Sequence, residues 1–202
     1  MKKIDTVYFD AGNVLIAFDH LRAFRQIGTL CDKSVDEVKE FYMGKSIHLD
    51  YECGKITTAE LQQKFEEFSG KKLQREELAL AASDIFFEIS GMTDLVQQVI
   101  KSGVKVAIIS NTCEIHWQQA TAEHPIINLI QPQILSHEVG YLKPDERIYR
   151  DAFAATDSDP KSCLFIDDLQ ENIDAAEKLG ITGHLFSGID GLKEFLSSHQ
   201  CI

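Results

Sequence analysis

Three apolar runs in this chain end on residues that could act on phosphorus or hold a cation. Residues 4–10 (IDTVYFD) end in Asp10, 104–110 (VKVAIIS) in Ser110, and 163–167 (CLFID) in Asp167 with Asp168 following. In an open parallel sheet, ligands bind outside the carboxyl ends of the strands, so such runs would bring these side chains to one edge. Clustered carboxylates repel one another unless a proton or cation sits among them, and an oxygen-only set suits hard Mg²⁺. A carboxylate can attack phosphorus to give an aspartyl phosphate, while metal and lysine neutralise charge on the equatorial oxygens. Lys143, in Gly140-Tyr141-Leu142-Lys143-Pro144-Asp145, supplies the lysine. Ser110 offers a hydroxyl donor and Asn111 an amide. Asp167 and Asn172 suit a helix N-cap and first turn equally well.

The elements that must position these residues follow from periodicity. Continuous apolar runs of this length fit strands buried on both faces of a parallel sheet. Helix-like segments follow, 92–102 closing at Gly103 and 170–179 closing at Gly180, where a C-terminal glycine belongs. Residues 181–186 read as a further strand. This alternation predicts an α/β core, a Rossmann-like, mostly parallel sheet with helices on both faces.

Between Asp10 and the second run, residues 18–88 carry helical periodicity and almost no strand signal, so the core is expected from 1–17 and 89–202 with a helical insertion between. Ser34-Val35-Asp36-Glu37 and Thr57-Thr58-Ala59-Glu60 both fit the capping box that opens a helix. Leu61, Phe65 and Phe68 recur at helical spacing, as do Leu78, Ala82, Ile85 and Phe86, and such stripes favour core packing.

Composition narrows the partners. The formal net charge of −12 disfavours nucleic acid and anionic membranes, which require a basic face. No run of about 18 apolar residues is present to span a bilayer, and Met-Lys-Lys leads straight into Ile4 and Asp5, so the cytoplasm is the expected location. Cys31, Cys53, Cys113, Cys163 and Cys201 include no C-x-x-C pair, which favours reduced, mostly buried thiols. The histidines show no metal-binding spacing and are expected to be mostly solvated. The expected partner is a small phosphorylated metabolite, and the expected state a monomer or weak homodimer.

Four segments resemble, in order, the motifs of the haloacid dehalogenase (HAD) superfamily: Val7-Tyr8-Phe9-Asp10-Ala11-Gly12-Asn13-Val14-Leu15, Ile109-Ser110-Asn111-Thr112, Lys143-Pro144, and Phe165-Ile166-Asp167-Asp168 with Asn172. The insertion is similar to a subclass I cap. Glu52-x-Gly54-x-Ile56-Thr57 and Ile148-Tyr149 add a resemblance to bacterial α-D-glucose 1-phosphate phosphatase-type proteins. The resemblance implies an Mg²⁺-dependent phosphatase. Asp10 would be nucleophile and metal ligand, with Asp168 and the Gly12 carbonyl as the other protein ligands. Asp167 would hold metal-bound water or Lys143, while Ser110, Asn111 and Lys143 would hold phosphate, with Asn172 in support.

One position departs from that pattern. The usual first motif is Asp-x-Asp, whose second aspartate protonates the leaving group and then activates water; here the position is Gly12. Asp19, His20 and His116 are replacement candidates by sequence proximity, each weighed against a surface or capping role. Tyr51 and Glu52 either face substrate or pack within the cap, and Trp117 either packs under the cap hinge or, as its size favours, in the core. Without an acid, good leaving groups such as anomeric, aryl and acyl phosphates are expected to outrank primary-alcohol esters. The alternatives are a non-catalytic phosphate-binding module, motivated by Gly12, and a metal-free haloacid dehalogenase, disfavoured by the paired Asp167 and Asp168.

Overall fold

The computed structural model describes residues 3–202; Met1 and Lys2, with which the expected core begins, lie outside the described residues. In chain order the elements are β1 (Thr6–Phe9), β2 (Ile16–Phe18), α1 (His20–Cys31), α2 (Val35–Lys39), α3 (Ile47–Glu52), α4 (Thr58–Ser69), α5 (Arg75–Ser83), β3 (Phe86–Glu88), α6 (Met92–Lys101) and β4 (Lys105–Ser110). They continue as α7 (Glu114–Glu123), α8 (Pro125–Asn128), β5 (Gln133–Leu135), α9 (Ser136–Val139), α10 (Glu146–Thr156), β6 (Cys163–Asp167), α11 (Gln170–Lys178), β7 (Thr182–Leu185) and α12 (Ile189–Ser198).

Five parallel strands form the main sheet in the order β5-β4-β1-β6-β7, so the chain winds outward on both sides of β1. Register places Phe9 opposite Ile108 on β4 and Ile166 on β6, which brings the three strand ends level. Alternation along β1 divides the core. Val7 and Phe9 pack with Leu95, Val99, Leu192 and Leu196 of α6 and α12, whereas Tyr8 faces Ile148, Ala152 and Ile173 of α10 and α11. Gly103 and Gly180 lie at positive φ just past α6 and α11, as the sequence predicts.

Helices α1–α5 build a separate apolar cluster around Phe24, Ile27, Tyr51, Leu61, Phe65 and Leu78, to which Cys113 and Ile115 of the core add. Both expected capping boxes are formed. The Glu37 N–H donates to Ser34 Oγ at 3.2 Å and the Ser34 N–H to Glu37 Oε2 at 2.9 Å. Thr57 and Glu60 repeat this pattern at 3.2 and 2.7 Å.

Two expectations need correction. The stripe Leu78, Ala82, Ile85, Phe86 overruns its helix: α5 ends at Ser83, and Phe86 begins β3, which pairs antiparallel with β2. Ile85 and Phe86 continue to face apolar neighbours after the chain straightens, so helical spacing persists without a helix. The short β2–β3 ribbon therefore puts a strand inside the stretch read as helical, and β2 straddles the expected boundary at 17/18. The histidines also differ, since His20 alone is exposed. The others pack partly or fully buried, several against aromatic rings, as His116 on Phe86 and His184 on Phe195. No described helix is long and apolar enough to cross a membrane, and all five cysteines are free, four of them buried.

Candidate active site

Asp10 follows β1 directly, and its N–H extends the β1–β6 pairing by donating to the Ile166 carbonyl at 2.8 Å. Across the sheet edge the Lys143 ammonium sits between two carboxylates, 2.8 Å from Asp10 Oδ1 and 2.7 Å from Asp167 Oδ2. All three groups are buried. Asp168 joins these two carboxylates, and Asp10, Asp167 and Asp168 each place a carboxylate oxygen within 4.8 Å of the others. Burial, reinforced by Asp167 and Asp168 and only partly offset by Lys143, pushes the Asp10 carboxyl up to about 7. For Lys143, burial alone would pull the pKa down, but the two adjacent carboxylates reverse this and hold it above its ordinary value. The negative charge exceeds what one lysine neutralises, and the donors are all oxygens, so the cluster fits a divalent hard cation.

The carboxylates are not equivalent. Asp167 is saturated: beyond Lys143, its Oδ1 accepts from the Leu169 N–H and from Asn172 Nδ2, both at 2.9 Å. It is thereby a partner for Lys143 and holds the chain where it enters α11, whose N-cap position is Leu169 and whose first turn contains Asn172. Asp168 uses only Oδ2, accepting from Asn13 Nδ2 at 3.0 Å. In the turn after Asp10, hydrogen bonds run from Leu15 and Ile16 to the Ala11 carbonyl and from Asn13 to the Ile16 carbonyl. The Gly12 carbonyl takes no part in that pairing.

The structure gives Asn111 a role beyond the expected one. Its side chain is tied to Lys143, with Nδ2 donating one proton to the Lys143 carbonyl at 2.9 Å and Oδ1 accepting the Lys143 N–H at 2.7 Å, which leaves the second Nδ2 proton for another acceptor. Asn111 positions the lysine. Ser110 is buried at the end of β4, and its hydroxyl bonds no described residue.

A cavity of about 70 Å³ opens beside these strand ends, lined by Gly12, Ser110, Asn111 and Thr112 on one side and by Phe18, His20, Glu52, Phe86, His116 and Trp117 on the other. A larger cleft of about 460 Å³ runs between Tyr51, Gly54, Ile56 and Thr57 and the core residues Glu114, Trp117 and His137, away from Asp10. Tyr51 itself is buried and tied to Thr58 Oγ1 at 2.7 Å, an internal contact of the helical unit. Trp117 packs on the core, the reading favoured from the sequence, with Nε1 donating to Gln133 Oε1 at 3.2 Å.

Gly12 has a packing reason. A Cβ there would lie 2.7 Å from Cε1 of Phe18, whose ring occupies the space of a larger side chain. Of the proposed stand-ins, Asp19 is used as the N-cap of α1, accepting from the N–H groups of Leu21 and Arg22. His116 Nε2 donates to the Ala82 carbonyl at 3.2 Å, and burial lowers its pKa to about 4. His20 lies on the cavity wall with its ring 4.6 Å from that of Phe18, and desolvation of the ring, with His48 adding to it, lowers its pKa although the residue as a whole is exposed. Asn13 and Phe18 were not singled out in the sequence as site residues; only their closeness to Asp10 could have marked them.

Comparison with known proteins agrees with this geometry. The haloacid dehalogenase-like hydrolase family matches residues 4–180. Among curated relatives, D-ribitol-5-phosphate phosphatase of Bacteroides thetaiotaomicron is 25% identical over 184 residues, 88% of this chain and 89% of the relative. Pyrimidine 5'-nucleotidase YjjG of Escherichia coli is 26% identical over 183 residues, 84% of this chain and 80% of the relative. A solved HAD family enzyme from Bacteroides thetaiotaomicron, in its magnesium complex, aligns with a TM-score of 0.82 at 26% identity, covering 93% of this chain and 95% of that one. With the family matching residues 4–180 and the carboxylates and lysine of the four motifs assembled at one sheet edge, the chain belongs to the haloacid dehalogenase-like hydrolases.

Proposed function

We propose that this protein is a magnesium-dependent phosphatase that hydrolyses a small phosphate monoester, a sugar or polyol phosphate, through a phospho-aspartate on Asp10. The observation that carries the reading is the Lys143 ammonium between Asp10 and Asp167, with Asp168 completing a carboxylate cluster whose charge a single lysine leaves uncompensated. Asp10, the Gly12 carbonyl and Asp168 would hold the metal, which when bound neutralises charge on the phosphoryl oxygens. Asp10 attacks phosphorus, Lys143 stabilises the charge spreading over the phosphoryl group, and the free Ser110 hydroxyl donates to a phosphoryl oxygen. Asp167 and Asn111 keep the ammonium in place. Helices α1–α5, residues 18–88 with the ribbon at their base, act as a cap that limits water and selects the leaving group.

The relatives support the substrate class, since ribitol 5-phosphate and pyrimidine 5'-nucleotides, in the names of two of them, are phosphate monoesters of primary alcohols. That differs from the expectation drawn from Gly12, which favoured better leaving groups. A dehalogenase reading is disfavoured by the site, because carbon attack by Asp10 needs no cation, whereas Asp10, Asp167 and Asp168 together fit one. Purified protein assayed for phosphate release from a panel of sugar, polyol and nucleoside phosphates, with and without Mg²⁺, tests the proposal. Turnover that requires Mg²⁺ is expected; no phosphate release from any ester of the panel would contradict it.

A further inference from the structure

Resting on the phosphatase reading above, the geometry points to Glu52 as the group that gives a proton to the leaving oxygen and later takes one from the attacking water, the work that Gly12 has no side chain to do. Glu52 ends α3 and lines the same small cavity as Gly12 and Ser110, so the helical unit presents a carboxyl to the space beside the nucleophile. That carboxyl forms no hydrogen bond or ion pair with the described residues, although every other carboxylate facing the site has a partner.

Its position is fixed from the backbone side. Ser136 Oγ lies 2.7 Å from the Glu52 carbonyl and 2.9 Å from that of Thr112, donating to one at a time, and accepts the Thr112 N–H at 2.9 Å. One core hydroxyl thus ties the end of α3 to the segment two residues past Ser110. Two residues on, Gly54 has φ +65, and a Cβ there would fall 2.2 Å from the His137 carbonyl, so the chain passes against the core too closely for any side chain.

The chemistry of the surroundings fits a proton carrier. Groups that bear on Glu52 are Tyr42, Cys53 and Cys113, all neutral near pH 7, with His20 and His116 across the cavity and both held toward the neutral form. With no cation beside it, burial pushes the Glu52 carboxyl up to about 7. An acid with that value divides its time between both forms at neutral pH, as a group that must donate and then accept requires.

The steps balance. As the bond from Asp10 to phosphorus forms and the ester P–O bond breaks, the Glu52 proton passes to the departing oxygen, which leaves as alcohol. In the second step Glu52 carboxylate takes a proton from water as its oxygen bonds to phosphorus. The P–O bond to Asp10 breaks, phosphate departs, and both carboxyls return to their starting forms.

The test uses Glu52→Gln, which keeps shape and removes the proton, with Mg²⁺ and two probes: p-nitrophenyl phosphate, whose leaving group needs little protonation, and glycerol 3-phosphate, whose leaving group needs it fully. The variant should lose about 10²–10⁴-fold on glycerol 3-phosphate. On p-nitrophenyl phosphate it should give a burst of one nitrophenol per chain followed by slow turnover, because phosphorylation proceeds and water attack stalls. The wild-type fall in rate on glycerol 3-phosphate above about pH 7 should vanish. Equal losses on both probes without a burst, wild-type behaviour on both, or the same burst arising from His20→Gln instead would each overturn the assignment. Failure of the phosphatase reading is distinguishable, since wild-type protein would then release no nitrophenol at all.

Discussion

The side chain of Asn111 and the backbone of Lys143 bond each other in both directions, at 2.9 Å from Nδ2 to the carbonyl and 2.7 Å from the N–H to Oδ1. This ring joins the end of the second strand run to a loop 32 residues further on and sets where the ammonium can reach. Asn111→Ala removes both bonds and leaves two buried backbone groups short of partners, which costs about 1–3 kcal/mol for each unsatisfied group. Melting temperature should fall, and kcat should drop by about tenfold or more while Mg²⁺ affinity stays close to wild type. Steady-state kinetics against Mg²⁺ concentration, beside a thermal melt, measures both.

Lys143→Met keeps most of the side-chain length and removes the charge that Asp10 and Asp167 share. Breaking a buried ion pair by removing one partner costs about 3–5 kcal/mol. The variant should melt lower in chelator, regain part of that loss on adding Mg²⁺, and turn over more slowly by about a hundredfold or more at saturating substrate. A melt that Mg²⁺ does not raise would show that the carboxylates do not need a cation.

Gly12→Asp would restore the usual acid only if Phe18 moved, because the new Cβ meets the ring at 2.7 Å. No left-handed backbone is involved, since Asn13 rather than Gly12 has the positive φ. Overpacking of this kind costs about 1–3 kcal/mol. Gly12→Asp combined with Phe18→Ala should therefore be more stable than the sum of the two single changes, with a coupling above about 0.5 kcal/mol in a double-mutant cycle. Strict additivity in chemical denaturation would mean that the ring does not occupy that space.

The metal-free protein should carry a pH signature of Asp10. Its folded pKa, about 7, lies above the unfolded value, so folding takes up a proton. The stability from this group is full below the unfolded pKa and is lost as pH rises toward 7. Glu52 runs in the same direction, whereas His116, lowered to about 4, runs the opposite way. The difference between wild type and Asp10→Asn isolates the carboxyl: in chelator, the variant's relative melting temperature should increase between about pH 4 and pH 7. A difference that stays flat across that range would contradict the crowded, buried environment of Asp10.

Much of the site is legible in the sequence because buried strands betray their ends. Asp10, Ser110 and Asp167 each stop an apolar run, and parallel pairing brings such stops together. Capping boxes at Ser34 and Thr57 are local patterns and read directly. What stayed hidden is either short or distant. Strands β2, β3 and β5 have three residues each, too few for alternation to stand out. The Asn111–Lys143 ring and the Ser136 link to Glu52 join residues far apart in the chain, and no local pattern marks them. Phe18 over Gly12 is a packing relation, visible only once the turn after Asp10 has folded.

The central claim is that phosphoryl passes to Asp10, and direct detection of that adduct tests it best. Protein mixed with Mg²⁺ and p-nitrophenyl phosphate, quenched in acid within the first turnover and digested, should yield a peptide spanning Asp10 that carries one phosphoryl group. The adduct should be lost on mild base treatment, as an acyl phosphate is, and should be absent from Asp10→Asn, which should also turn over at least about a thousandfold more slowly. Asp10→Asn retaining activity within about tenfold of wild type, or a phosphoryl group found on any other residue, would contradict the account.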